Sequence, residues 1–228
     1  MVINFVFARY KENFVKDNFK SLITEIINDP TIQSEIFIYD KFSSRNDTHK
    51  LVQNVGREHY AWFSHIIETW ENPPDYYGFI HPCGPENDQR PEKFKFLAKI
   101  IDNFMNVDNS IEFRTPNKNY SKKNGWIGGS KSNIEDVSKQ NYVPTNYKNM
   151  GEWWIKTTGI NEFPIHRSTY GMCITSSKNI QSWGLEFWER LLDHVVVGGA
   201  NCEVAHFLER SMYRFAQGKL CIDYTINE

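Results

Sequence analysis

The chain has 228 residues, 40% of them hydrophobic, which suits one large domain or one domain carrying a long insertion. Its 26 basic and 28 acidic residues leave a net charge of −2, with no basic tail or stripe, and this argues against a nucleic-acid partner. No apolar run approaches the roughly 18 residues of a membrane span. Cys83, Cys173, Cys202 and Cys221 show no CxxC and no zinc-ligand spacing, so they read as buried thiols of a reducing compartment. The opening segment lacks the pattern of a signal peptide, and the expected location is the cytoplasm.

Val2–Ala8 (VINFVFA) is a continuous apolar run of β-branched and aromatic residues, the signature of a strand buried in a parallel sheet. A helix is expected over Phe14–Ile27, stopped by Asn28-Asp29-Pro30. Glu35–Tyr39 (EIFIY) is a second strand, ended by Asp40. Gln53–Trp70 is a second helix, with Trp62, Phe63, Ile66, Ile67 and Trp70 on one stripe and Asn54, Gly56, Arg57 and Glu58 crowding its first turn. Tyr76–Ile80 (YYGFI) is a third strand, ended by His81-Pro82. The order β-α-β-α-β implies a mostly parallel sheet flanked by helices, and such sheets bind ligands at the carboxyl ends of their strands. Those ends carry Arg9-Tyr10, Asp40-Lys41 and His81-Pro82-Cys83.

After a further helix near Pro91–Phe104 the periodicity dissolves. Residues about 106–165 are rich in Asn, Lys, Ser and Gly and read as a loop-rich insertion, a lid or a disordered segment. Order returns with a strand at Tyr170–Thr175 and a helix over Trp183–Val195. Gly198-Gly199 follows, then a last helix over Asn201–Gln217 with Gly218 as its cap.

The layout FIYDKFSSRNDT, then NVGREHYAWFSHII, then YYGFIHPC resembles the inverting, family-2-like glycosyltransferases of the GT-A fold over residues 2–83. A second similarity spans most of the chain outside the insertion. Asn54-Val55-Gly56-Arg57-Glu58, His65-Ile66-Ile67, Pro74-Asp75 and Leu208-Glu209-Arg210 are similar to motifs of an uncharacterised family, a domain of unknown function with fungal and bacterial members.

The resemblance implies a single GT-A-like, Rossmann-like domain over 1–228 that moves a sugar from a nucleotide-sugar donor to a glycan or related acceptor. It places Tyr10 in the loop passing the nucleotide base and makes Asp40 the carboxylate that bonds base or ribose. Where the family pattern has a metal-binding Asp-x-Asp, this chain has His81-Pro82-Cys83. His81, helped by Glu86 or Asp88, is then the one candidate ligand for Mn²⁺ or Mg²⁺; the other reading is that cationic side chains neutralise the leaving diphosphate.

The residues have their own readings. A helix entrance at Asn54–Glu58 suits an anion, with Arg57 pairing a phosphate bidentately, though Asn54 and Glu58 also fit a simple cap. Arg9 joins this donor set from its strand end. Glu203, His206 and Arg210 share a face of the last helix. Gly198-Gly199 ahead of this acidic helix is similar to the glycine-then-acid segment that delivers the general base in GT-A enzymes; the resemblance implies Glu203 as that base with His206 its rival, against a plain solvated charged face. Trp153 and Trp154 stack an acceptor sugar or anchor the insertion. Two other functions compete: a non-catalytic nucleotide- or sugar-binding relative, and a metal-assisted hydrolase built on His81, His206 and Glu203.

Overall fold

The computed structural model describes residues 1–9, 28–41, 49–81, 101, 113–114, 118–119, 143–147, 150–161, 166–167, 172–199 and 202–219. In chain order the elements are β1 (Val2–Arg9), β2 (Gln33–Asp40), β3 (His49–Leu51), α1 (His59–Glu68), β4 (Tyr76–Ile80), β5 (Phe113–Arg114) and β6 (Lys118–Asn119). Then come α2 (Met150–Thr158), β7 (His166–Arg167), β8 (Cys173–Ser176), α3 (Ser177–Gln181), α4 (Leu185–Gly198) and α5 (Glu203–Ala216). The helices expected over Phe14–Ile27 and Pro91–Phe104 lie outside the described residues, apart from Ile101.

The apolar opening run becomes a central strand, β1, buried from Ile3 to Arg9. It pairs in parallel with β2 in the register Val2↔Gln33 to Arg9↔Asp40, and on its other edge with β4 from Ile3↔Tyr76 to Phe7↔Ile80. The short β3 extends the parallel part beyond β2. β8 pairs antiparallel with β4, and β5 antiparallel with β8, giving the order β3-β2-β1-β4-β8-β5. β6 and β7 form a separate two-stranded ribbon. The architecture is therefore an open, mixed and mostly parallel α/β sheet.

A polar chain braces the parallel strands against α1. Tyr39 donates its hydroxyl proton to Glu68 Oε2 (2.9 Å), so that hydroxyl accepts from His65 Nδ1 (2.9 Å). His65 Nε2 is then left to accept from Asn4 Nδ2 (3.1 Å), and Lys50 closes the chain on Glu68. One buried imidazole in one tautomer thus ties β1, β2, β3 and α1 together. The Pro74-Asp75 motif is also structural, since Asp75 Oδ2 accepts the Val2 N–H at 2.7 Å.

Trp62, Phe63 and Ile66 of α1 are fully buried, as the stripe predicts. The helix begins later than expected, however. Gly56 and Arg57 have φ of 59° and 53°, a left-handed conformation that a right-handed helix excludes, so the polar cluster belongs to a turn ahead of α1.

A second correction concerns the insertion. Its residues 150–158 are a core helix, α2, because Met150, Trp153 and Trp154 bury completely or nearly so. Trp153 lies 5.6 Å from Phe207, and Trp154 stacks on Phe215 at 5.7 Å with a 15° interplanar angle. Both indoles are 0% exposed, so neither meets an acceptor sugar, and the sugar-stacking expectation for Trp153 and Trp154 is withdrawn in favour of anchorage. Opposite them, the last carbonyls of α5 are satisfied from the sheet side. Ala216 O accepts from Thr175 Oγ1 (2.7 Å) and Asn179 Nδ2 (2.9 Å), and Phe215 O from Trp183 Nε1 (3.0 Å).

If α2 is core, Trp154→Ala should lower stability by about 3–5 kcal/mol, read as a reduced urea midpoint at unchanged slope. A loss within about 0.5 kcal/mol, the size of an ordinary surface substitution, would return the tryptophans to the surface.

Candidate functional site

β1 lies between β2 and β4, which are reached by connections leaving in opposite directions. The crevice outside the carboxyl ends of β1 and β4 is therefore the topological switch point where open α/β sheets bind ligands. At that edge Arg9 Nη1 meets Asp40 Oδ2 at 3.2 Å, with both residues buried. Asp40 is held by a strand-end ion pair. Lys41 continues the edge: its N–H bonds Arg9 O (2.7 Å) and its ammonium donates to Val55 O (2.6 Å). The strand ends are thereby fastened to the segment leading into the Gly56–Arg57 turn.

That turn admits only glycine at its first left-handed position. A Cβ on Gly56 would stand 2.3 Å from Val195 Cβ of α4, and the Gly56 N–H bonds Gly199 O at 2.8 Å. Arg57 follows in a conformation that costs a non-glycine residue about 1–3 kcal/mol, and such residues cluster at functional sites. Its guanidinium offsets that cost. Nη1 donates to Glu209 Oε2 and to His206 Nδ1, each at 3.1 Å, and Nε lies 3.7 Å from Glu58 Oε2. Glu58 Oε1 in turn lies 3.5 Å from His81 Nε2. Arg57 thus joins the turn ahead of α1 to Glu209 of α5.

Charge follows from this geometry. Glu58 first, then Glu209, raise the Arg57 pKa against its burial. Burial pushes the Glu58 carboxyl up, but Arg57, His81 and His59 together, Arg57 most, outweigh it and hold the carboxyl well below the usual range. Because Arg57 can only donate, His206 Nδ1 must accept, so the His206 proton sits on Nε2; burial lowers its pKa. His206 therefore presents a donor and is unsuited to act as a base.

His59 lies beside Glu58, and its spacing in the sequence predicts no role for it. It is 0% exposed, and neither ring nitrogen has a hydrogen-bond partner among the described residues. Burial pushes its pKa down to about 4. The only signal for it in sequence was a histidine next to the acidic residue at the turn.

Glu203 starts α5 and is buried. Its Oε2 accepts from Thr145 N–H (2.9 Å) and Thr145 Oγ1 (3.0 Å). It lies one helical turn, about 5 Å, from His206. Asn54 is exposed and lies ahead of the turn, and Glu58 occupies the cap position of α1. The buried Glu58 carboxylate at the helix entrance opposes an anion on the α1 N–H groups. Tyr10, Glu86 and Asp88 lie outside the described residues.

The fit to a divalent cation is poor. Glu58, the carboxylate paired with His81, is already shared with the Arg57 guanidinium. Among the described residues no group of three His, Cys, Asp or Glu could hold a metal. Cys173 and Cys202 are free and buried, and no helix among the described residues is long and apolar enough to cross a membrane. Compared with known proteins, the chain matches no family model, no curated protein and no solved structure.

His59 and His65 are both held down to about 4, against an ordinary value of 6.5. The unfolded chain therefore takes up protons between pH 6.5 and 4 that the native state does not, and stability falls as pH drops through that window. His59→Phe removes one of these sites, so between pH 7 and 4 the variant should lose about 2–3 kcal/mol less stability than the parent. Urea unfolding across that range checks it, and parallel profiles for the two proteins would contradict it.

Proposed function

We propose that the protein is a glycosyltransferase of the GT-A type, moving a sugar from a nucleotide-sugar donor to a glycan or related acceptor, with side-chain cations meeting the leaving diphosphate. One observation carries this reading: Arg57, held in a strained left-handed conformation at the switch-point crevice, donates to His206, which lies one turn along α5 from a buried carboxylate, Glu203. The guanidinium has five N–H donors. Its side chain is 32% exposed, and among the described residues Nη2 donates to none, which suits a phosphate oxygen.

In the reaction, the acceptor oxygen bonds to the anomeric carbon while its proton passes to the Glu203 carboxylate. The bond from the anomeric carbon to the diphosphate oxygen breaks, and its electron pair leaves on that oxygen beside Arg57. His206 Nε2–H adds a donor on the same side. Lys41 and Arg9 supply further positive charge along the strand ends. No step is routed through a metal.

Glu203→Gln tests the assignment cleanly, because the amide oxygen still accepts from Thr145 but cannot take a proton. Turnover should fall about 10²–10⁴-fold with donor affinity nearly intact, whereas His206→Ala should raise the donor KM more than it lowers kcat. The assay is transfer from a panel of nucleotide-sugars to simple glycosides. An active Glu203→Gln beside a dead His206→Ala would move the base to His206. Donor binding without turnover in the parent would favour the non-catalytic relative.

A further inference from the structure

A cavity of about 320 Å³ opens between segment 143–147, the carboxyl-terminal end of α4 and the start of α5. It sits at the small end of the ~300–1,000 Å³ range of ligand pockets. Its walls combine one aromatic ring, Tyr147, with the polar side chains of Thr145, Asn146, Asp193 and His194, and its rim is apolar, with Val197 88% exposed. Among the described residues no Lys or Arg lines it, and the one charged side chain lining it is the Asp193 carboxylate, so a phosphate is disfavoured there.

Two features show a receptive site. The Tyr147 ring is fixed in advance, with the Lys156 ammonium 5.9 Å from its centroid and the His194 ring 6.4 Å away at 60°. His194 Nδ1 is buried and has no hydrogen-bond partner among the described residues, a state that costs about 1–3 kcal/mol until a ligand or water meets it. A pyranose matches this chemistry: its C–H faces suit the tyrosine and valines, and its hydroxyls suit Asn146, Asp193 and His194.

We propose that this cavity is the acceptor subsite, holding one neutral pyranose ring. The inference rests on the transfer reading for the word acceptor, and it replaces Trp153 and Trp154 in that role. The geometry links it to the chemistry. Thr145 lines the cavity and donates both its N–H and its hydroxyl to Glu203. Cys202, a lining residue, immediately precedes Glu203 in the chain. A hydroxyl of the bound ring that takes the place of the Thr145 hydroxyl reaches the base directly.

The test titrates the methyl glycosides of glucose, galactose, mannose and N-acetylglucosamine into the full chain, with the ring signals of His194 followed by NMR. At least one glycoside should saturate and shift those signals. Asp193→Ala and Val197→Glu, both at exposed positions that leave folding intact, should weaken that binding at least tenfold. Absence of saturation, or binding indifferent to both cavity variants, overturns the subsite. A nucleoside diphosphate titrated in parallel separates the two readings. If it binds through Arg57 while no glycoside binds, the subsite falls and the transfer reading stands. If a glycoside binds in the cavity while no nucleoside diphosphate binds, the cavity remains a sugar site and the transfer reading falls.

Discussion

Two consecutive left-handed residues, Gly56 and Arg57, set the geometry on which the rest of the site depends. Gly56 seats the turn on α4 at a distance that leaves no room for a side chain, and its N–H is tied to Gly199. With that position fixed, Arg57 has one direction in which its charge is compensated, toward Glu58 and Glu209. Charge-assisted hydrogen bonds of about 1.5–3 kcal/mol each outweigh a backbone strain of about 1–3 kcal/mol. The same turn brings the sheet edge, α1, α4 and α5 to one point, since Lys41 grips the carbonyl of Val55 just before it.

Two histidines of α1 show how differently buried polar groups are treated. His65 has a partner for each ring nitrogen and serves the fold, binding Asn4 on one side and Tyr39 on the other. His59 has none among the described residues, although Glu58 and the Arg57 cluster surround it. A half-satisfied polar network in a low-dielectric interior is unstable as pure scaffold. Perturbed ionisable groups gathered at a sheet's binding edge are what a functional site contains. The contrast separates the brace from the site within a single helix.

Much of the frame was legible in the chain because burial patterns report it. The run from Val2 gave β1, the alternation-free YYGFI gave β4 to the residue, and Gly218 does end α5 with φ of 83°. The turn was misread as a helical first turn because Asn, Gly, Arg and Glu are common at helix entrances, and the sign of φ at Arg57 leaves no mark on composition. α2 was missed for a similar reason: Lys and Asn around it mask a short apolar face that only α5 completes. The direction of β8 is set by tertiary pairing and has no local signature. Of the candidate site residues, Arg57, Glu58, His81 and His206 gather in one cluster and Arg9 pairs with Asp40. Glu203 turns toward Thr145 instead, and Glu209, a poorer fit than Glu203 to the base position, proves to be a principal partner of Arg57.

The account stands or falls on Arg57 as the anchor of an anionic ligand. Calorimetric titration of nucleoside diphosphates into the parent and Arg57→Gln, at low and at high salt, tests this most directly. One diphosphate should bind the parent without added divalent metal, more weakly as salt rises because the contact is ionic, and Arg57→Gln should bind it at least tenfold more weakly. Equal affinity in the two proteins would contradict the account, as would binding that appears only when Mn²⁺ or Mg²⁺ is added.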